Sequence, residues 1–436
     1  MLVPKIGRAR IEALDVIRGI AILLIFFMNI PGMGNTVFSH FDPRLLGWQP
    51  IDQVCYWFLN VAISGTQRGL LQLLFGAGAI ILLERTMAPD GPVEVADLYF
   101  RRTLWLMAFG LFDIFALFWF GDILLIYAIA ALFLFPLRRL RAGTLIALAL
   151  LGLMIPGALG VATYQEAGRI EIAATQAVQK QAGGKSLDEA DRQALAARGK
   201  QQMFFNLSLG IKAEEQAAHS GTLEAYGAWY RRLWFREILP MSPSRIFEAF
   251  TVMLLGMGLF KLGIIQGVRT ARFYLVLTLL AYIPGLTLRA ITTWQQSDFQ
   301  ASPDIGMITA SWSRVLVTLG HVALINLMLR SEAGQAVLSP FKAAGRTAFS
   351  LYLMQNFLGM WVLFPGFGFG LWGRFGWVGL MLIASAVIAV QVILANLWLH
   401  WFAMGPLEWL WRSLVHIRPQ PFRHRKVEFV GNGLPA

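Results

Sequence analysis

Residues 16–34 read VIRGIAILLIFFMNIPGMG, a run whose single charge, Arg18, stands near its start. A helix of ~20 mostly apolar residues crosses the hydrocarbon core of a bilayer, and Lys5, Arg8 and Arg10 stand just ahead of the run. A cleaved signal peptide has the same order of basic stretch and apolar run. This run is too long for one, and Ile30 to Asn35 offers no small-residue cleavage site, so it is read as a retained helix.

Nine further apolar stretches follow: Cys55 to Leu83, Leu104 to Phe118, Gly121 to Phe135, Leu145 to Tyr164, Ile246 to Ile265, Phe273 to Thr293, Ile305 to Leu329, Ala348 to Phe369 and Val378 to Trp401. The pair on either side of Phe120 and Gly121 is short and reads as a tight helical hairpin or a re-entrant pair. A hydrophobic share of 57%, a charged share of 14% and a mean hydropathy of +0.58 lie far from soluble composition. The expected fold is an all-α integral membrane protein, a bundle of about ten transmembrane helices.

Basic residues fall in alternate loops. Lys5, Arg8 and Arg10; Arg85, Arg101 and Arg102; Arg138, Arg139 and Arg141; Lys261, Arg269 and Arg272; Arg330, Lys342 and Arg346; and Arg418, Arg423, Arg425 and Lys426 share one side. The opposite short loops carry only Arg44 and Arg374. By the positive-inside rule both termini are expected in the cytoplasm of a bacterial inner membrane, as a multi-pass protein. The formal charge of +12 is then read as anchoring to anionic lipid, not as nucleic-acid binding. The single cysteine, Cys55, excludes an intrachain disulfide and supplies no metal framework.

The long polar interval at 165–244 is expected outside, as a helical extracytoplasmic insertion. It separates transmembrane helices 1–5 (1–164) from helices 6–10 (245–404), and a cytoplasmic tail covers 405–436. Within it Leu223, Tyr226, Tyr230, Leu233 and Trp234 recur at helical spacing among charged residues, an amphipathic helix with an aromatic face. Such a helix lies in the headgroup region or caps the bundle mouth; both readings need one apolar face. No internal repeat is evident.

An ionisable group within a span is costly and marks a functional-site hypothesis. Asp15 and Arg18 share a helix face at i, i+3, where a helix-start carboxylate and a snorkelling arginine are the simpler reading. Arg68 lies mid-span and cannot reach either surface, so it needs a carboxylate, a carbonyl or a ligand phosphate. Gln72 follows one turn later, then Gly76 and Gly78, which are read as packing positions. Asp113 and Asp122 bracket the short hairpin. His321 sits in the eighth span, where a hydrogen-bonded helix contact is the simpler reading. Gln355, Asn356 and Tyr352 share part of the ninth span, and Glu248, Arg289 and Gln391 complete the set.

Five blocks carry a family resemblance. Arg10, Leu14, Asp15, Arg18, Gly19, Ala21 and Asn29 form an R-x-x-x-LD-x-x-RG-x-A pattern. LFGAGAIILLER at 74–85, GDILLIYAI at 121–129, GRTAFSLYLMQ at 345–355 and GPLEWLWRSL at 405–414 follow in order. Together they resemble the YeiB-like membrane proteins, a family similar to the transmembrane acyltransferase superfamily. The resemblance implies a ten-helix bundle that takes an acyl group from a cytoplasmic donor, acetyl-CoA or another acyl-CoA as co-substrate, and delivers it to an acceptor in the membrane or beyond. It implies no tightly bound cofactor and no metal. Arg18 and Arg68 would bind donor phosphate or the acyl carbonyl. Asp113 or His321 would activate an acceptor hydroxyl or amine, Asp122 would orient it, and Tyr127 and Gln355 would donate hydrogen bonds. Asp15, Asn29, Arg346 and Glu408, from the matching blocks, complete the expected binding set. Many relatives read G-x-x-H ahead of the GDIL block, where this chain has Gly110, Leu111, Phe112 and Asp113. A histidine suits base catalysis at neutral pH, and an aspartate needs burial to do the same work.

The rival readings are a transporter that moves a small metabolite or lipid-like substrate through the same polar cavity without chemistry, and a non-catalytic scaffold that uses the insertion. Expected partners are the bilayer and a small-molecule or lipid-linked substrate, with a homodimer open and nucleic acid excluded.

Overall fold

A computed structural model describes residues 12–40, 42–83, 93–299 and 303–423; Lys5, Arg8, Arg10, Arg85, Arg425 and Lys426 of the charge count lie outside the described residues. In chain order the helices are α1 (Glu12–Gly34), α2 (Pro50–Phe58), α3 (Thr66–Leu83), α4 (Val93–Phe115), α5 (Leu124–Leu132), α6 (Ala142–Ala182), α7 (Glu189–Ser220) and α8 (Leu223–Leu233). They continue as α9 (Leu239–Lys261), α10 (Ala271–Gln296), α11 (Gly306–Met328), α12 (Glu332–Arg346), α13 (Ala348–Phe357), α14 (Trp377–Trp401) and α15 (Pro406–His416). No strand occurs among the described residues.

Among the described residues, seven stretches are long and apolar enough to cross a membrane: α1, α2 through α3, α6, α8 through α9, α10, α11 and α14. Leucine, isoleucine and methionine side chains point outward on α6 (Leu151, Met154), α10 (Leu280, Ile283) and α14 (Leu382, Ile393). An outer surface this apolar is stable against lipid, and the chain is a polytopic membrane protein. Of the ten expected stretches, three take other forms. Leu104 to Phe118 falls in α4, which carries Asp97, Arg101 and Arg102 in its first half; Gly121 to Phe135 becomes the nine-residue α5 and a turn; Ala348 to Phe369 becomes α13 with a π-turn as far as Leu363.

The first helix is apolar on nearly every face, and such a helix belongs inside a bundle. Val16, Ile17, Ala21, Phe26 and Ile30 of α1 are buried, with α3, α12, α13 and α14 around them. Glycines set the closest crossings. A Cβ on Gly19 would strike the Phe341 carbonyl and one on Gly345 the Asp15 carbonyl, so these two motif glycines let α1 and α12 touch backbone to backbone. Gly76 and Gly256 do the same for α3 and α9; Gly78, by contrast, faces open space.

The second stretch is broken in its middle. A π-turn at Leu59–Ile63 and a bend at Ser64 and Gly65 separate α2 from α3, and Gly65 has a φ of +75°. Backbone carbonyls freed at such a break need donors, because lipid supplies none. Arg289 Nε donates to the Asn60 carbonyl at 2.8 Å, its Nη2 to the Ser64 carbonyl at 2.6 Å, and Thr66 Oγ1 to the Ile63 carbonyl at 2.6 Å. The His321 ring meets the Ala62 carbonyl at 3.0 Å through Nε2 and the Tyr282 hydroxyl at 2.6 Å through Nδ1.

The insertion is a helical hairpin. α6 runs for 41 residues, about 60 Å at 1.5 Å per residue, twice the thickness of a hydrocarbon core. A capping box between Asp188 and Asp191 starts the return helix, and Lys180 pairs with Asp191 at 2.7 Å across the turn. The base of α7 docks on the bundle. Glu215 Oε1 accepts from Val37 N at 3.0 Å, the His219 carbonyl from Gly366 N at 2.6 Å, and the His219 ring stacks on Trp372 with centroids 4.6 Å apart. The aromatic face of α8 settles between its two readings: Tyr226, Trp229, Tyr230 and Leu233 are buried against the protein itself, packed on Phe118 and Phe367.

Burial pushes the His219 imidazole down from 6.5 to about 3. Between those values the unfolded chain binds the proton and the folded chain does not, so the stability is fully present above the unfolded value and is lost as pH falls toward the folded one. Melting temperature is expected to drop between pH 6.5 and about 4, and His219→Phe, which keeps a ring against Trp372, to flatten that drop. Equal slopes for both proteins would remove His219 as the cause.

Candidate functional site

A cavity of about 440 Å³ opens between α1, α3, α4, α5, α13 and α15. Four helices serve as rulers of its depth. Its lining runs from Arg18 to Ile22 on α1, from Leu82 to Leu71 on α3, from Leu98 to Leu106 on α4 and from Ala348 to Tyr352 on α13. Eleven residues of α3 correspond to a depth of about 16 Å. The entrance is cationic: Arg18, Arg102, Arg346 and Arg412 line it, with His416 beside them, and Arg102 lies close to both Arg18 and Arg412. The throat is apolar, with Ile22, Leu71, Leu74, Phe75 and Leu106, and the closed end is made by Ile123, Tyr127 and Tyr352.

Local structure explains why these side chains meet. Asp15 holds Arg18 at 3.2 Å across one helical turn. Arg346 Nη2 donates to the Ala403 carbonyl at 2.9 Å. Pro406 opens α15 at a position where a missing N–H costs nothing. Two residues on, Glu408 accepts from Phe349 N at 2.7 Å, Ser350 N at 3.2 Å and Ser350 Oγ at 2.5 Å, capping α13 from outside. Burial pushes the Glu408 carboxyl above its ordinary range, although these hydrogen bonds pull it down. The cap fixes α15 against α13 and so places Trp411 and Arg412 on the cavity wall; Trp411 Nε1 donates to the Arg102 carbonyl at 3.2 Å.

Behind the closed end lies a polar group built on a tight turn. After α4 the chain reverses through Phe118, whose φ of +59° is strained for a bulky residue. The strain is held by the Phe118 ring, stacked on Trp361 and edge-on to Tyr226 and Tyr230. This reversal brings Asp113 beside Asp122. Asp113 is fully buried; Asn356 Nδ2 donates to its two oxygens at 3.0 and 2.8 Å, and the Tyr352 hydroxyl is within reach. Asp122 caps α5, accepting from Leu124 N at 3.0 Å and Leu125 N at 2.7 Å. Tyr352 Oη accepts from Ile123 N at 3.3 Å, so one hydroxyl touches both the cavity end and the carboxyl pair. From the other side comes Tyr230 of α8, with its buried hydroxyl unpartnered, as is Asn356 Oδ1.

The sequence-derived residues thus divide. Arg18, Tyr127, Arg346 and Glu408 line one cavity, with Asp15 behind Arg18; Asp113 and Asp122 sit just beyond its closed end. Arg68 lies deeper, near Glu248, with its carbonyl accepting from the Tyr127 hydroxyl at 3.0 Å. His321 is part of the brace on the broken helix. Gln355 donates to Gln391 at 2.8 Å and to the Ile22 carbonyl at 3.3 Å, tying α13 to α14 and α1, and neither it nor Asn29 lines the cavity. Sequence reasoning passes over Arg102, Arg412, Arg245 and Arg314. The first two look like loop charges. Arg314 stands mid-way in a span, the same signal that Arg68 gives. No group of histidine, cysteine and carboxylate side chains suited to a metal occurs among the described residues.

A second, wider groove of about 950 Å³ lies between α4, α13 and α14, lined by Trp105, Phe112, Met354 and Trp398 among others. No ionisable side chain lines it, which suits bilayer tails and not chemistry.

The family model for DUF418, a protein of unknown function, matches residues 259–418. The chain is similar to the uncharacterized protein YxaH of Bacillus subtilis, 28% identical over 434 residues that cover 96% of this chain and 98% of YxaH. It is similar to the uncharacterized protein YeiB of Escherichia coli, 24% identical over 417 residues, 92% of this chain and 95% of YeiB. An uncharacterized 39.9 kDa protein of Bacillus acidopullulyticus is 30% identical over 106 residues, 24% of this chain and 30% of that protein. No solved structure matches. The chain is therefore a polytopic membrane protein that shares nearly its whole length with YxaH and YeiB and matches the DUF418 model over its C-terminal part.

Proposed function

We propose that this chain is a membrane acyltransferase of ten membrane segments, the seven long apolar ones together with α4, α5 and α13, with both termini in the cytoplasm of a bacterial inner membrane and the α6–α7 hairpin outside. What supports the reading is the cavity, cationic at its entrance, apolar along about 16 Å and closed by a tyrosine that touches a buried carboxyl pair. An acyl-CoA has the complementary sequence of chemistry. Its phosphates pair with Arg18, Arg102, Arg346 and Arg412, since a guanidinium fork matches phosphate oxygens, and its narrow pantetheine arm, methylene links joined by two amides, runs along the throat. The thioester then lies at Tyr127 and Tyr352. Asp113 takes the proton of an acceptor hydroxyl or amine that arrives from the α8 side. The acceptor atom attacks the thioester carbonyl, the C–S bond breaks, and the thiolate leaves and recovers a proton as free CoA. The decisive experiment is turnover of acetyl-CoA by purified protein in liposomes, given hydroxyl and amine acceptors on the opposite face; release of CoA that depends on acceptor is expected.

The second reading, a carrier of a small metabolite or lipid-like substrate without chemistry, draws on the charged group at Arg68 and Glu248, deep in the bundle. Proton-coupled uptake with no CoA release would establish it in place of the first.

The sidedness has its own check. Cysteine at Lys185, in the turn of the hairpin, is expected to react with an impermeant reagent applied from outside, because basic loops alternate so cleanly. Reaction only after the inner face is opened would reverse the topology.

A further inference from the structure

The centre of the bundle holds more positive charge than negative. Arg68 of α3, Arg245 of α9 and Arg314 of α11 converge on one carboxylate, Glu248. Arg314 Nη1 pairs with Glu248 Oε2 at 2.9 Å, and Gln72 Nε2 donates to Oε1 at 3.4 Å. Arg245 Nη2 reaches only the Asp122 carbonyl, at 3.4 Å, while the Asp122 carboxyl spends both oxygens on the amides of α5. Asp113 and Asp122 are hydrogen-bonded to each other and so hold one proton between them; their single charge and that of Glu248 still leave the three guanidiniums in excess.

The donors are also unfilled. Arg314 Nε and Nη2 are buried without a partner, and the Arg68 guanidinium makes no hydrogen bond among the described residues. The broken helix adds a further positive end. A Cβ on Gly65 would sit 2.6 Å from Arg314 Cδ and 3.8 Å from Arg68 Nη2, so the start of α3, with its free amides, abuts both guanidiniums. Thr66, which begins α3, turns its hydroxyl back to Ile63 and does not cap those amides.

Uncompensated charge inside a bilayer is expensive, and a guanidinium fork pairs best with an anion that offers two oxygens. We propose that Arg68, Arg245 and Arg314, at the start of α3, bind an oxyanion, the phosphate or carboxylate group of a small molecule or of a lipid headgroup. Glu248 occupies part of the site and limits its affinity. The site stands whether the protein transfers acyl groups or carries a cargo. Its place beside Asp122 and Tyr127 puts the anion next to the carboxyl pair, on the molecule that would be acylated or moved.

The test is the melting temperature of full-length protein in phosphatidylcholine nanodiscs, titrated with inorganic phosphate or acetate against chloride at constant ionic strength. Either probe is expected to raise it for the wild type and not for Arg68→Gln or Arg314→Gln. Glu248→Gln is expected to need roughly tenfold less anion, a gain that misfolding cannot imitate. If phosphate and acetate act on neither, but phosphatidylglycerol nanodiscs stabilise the wild type and not the arginine variants, the oxyanion is a lipid headgroup. Equal responses in wild type and both arginine variants, or no response in any disc, would overturn the proposal.

Discussion

Asp113→Asn is expected to lower acyl turnover by about a hundredfold to ten-thousandfold, the usual worth of a positioned base, and to leave the protein folded. Asparagine matches the shape but offers one oxygen and one nitrogen where Asn356 Nδ2 now meets two oxygens. Asn356 has the remedy at hand, since its Oδ1 is buried and unpartnered and an amide turn would present it to the new nitrogen. A loss of activity would therefore report chemistry and not collapse. Asp113→His is expected to retain turnover, with a pH profile moved toward that of an imidazole. The measurement is acetyl-CoA turnover against pH for the three proteins with hydroxyl and amine acceptors. A rate unchanged by Asp113→Asn would eliminate the base role, and no turnover in any variant alongside altered flux would favour the carrier.

Arg18→Ala and Arg412→Ala are each expected to weaken acetyl-CoA binding by roughly 1.5 to 3 kcal/mol, the worth of a charge-assisted contact, or about tenfold to 150-fold in Kd. The fold should tolerate both. Arg18 is 37% exposed where it meets Asp15 at 3.2 Å, and a partly exposed ion pair contributes little in solvent. Binding should also lose salt dependence as each arginine is removed. Titration of labelled acetyl-CoA at two ionic strengths decides the matter; identical Kd values for wild type and variants would mean that no phosphate docks at this entrance.

How much of this was legible beforehand depended on whether a residue's neighbours were near it in the chain. The apolar run of α1 declares a helix by itself, and the aromatic spacing of Tyr226 and Tyr230 declares a face. Neither says what that face covers: Phe118 lies more than a hundred positions earlier, in a left-handed turn that no propensity favours. Asp113 and Asp122 stood out because they bracket a short hairpin, and the hairpin brings them together. Arg102 and Arg412 were hidden, because a charge at the foot of a helix looks the same whether it faces solvent or a cavity. For His321 the sequence favours a hydrogen-bonded helix contact and keeps base catalysis as the rival. Its ring spans a tyrosine and a carbonyl of the broken helix, a brace that only the bend at Gly65 makes necessary.

The hairpin of α6 and α7 has one further consequence, for where this chain tolerates change of length. Its distal turn at Gly183 and Gly184 is held by bonds within its own two helices, Lys180 to Asp191 among them, so residues gained or lost there are expected to alter its reach. Its foot is different. Glu215 and His219 are pinned to Val37, Gly366 and Trp372, and the next helix lays Tyr230 over the carboxyl pair as a roof tile. A single residue added between them would rotate that tile by about 100°, a 3.6-residue turn being the unit of helix registry. Lineages that lengthen or trim this arm are thus expected to do so at its far end, while the span from Glu215 to Trp234 keeps its length.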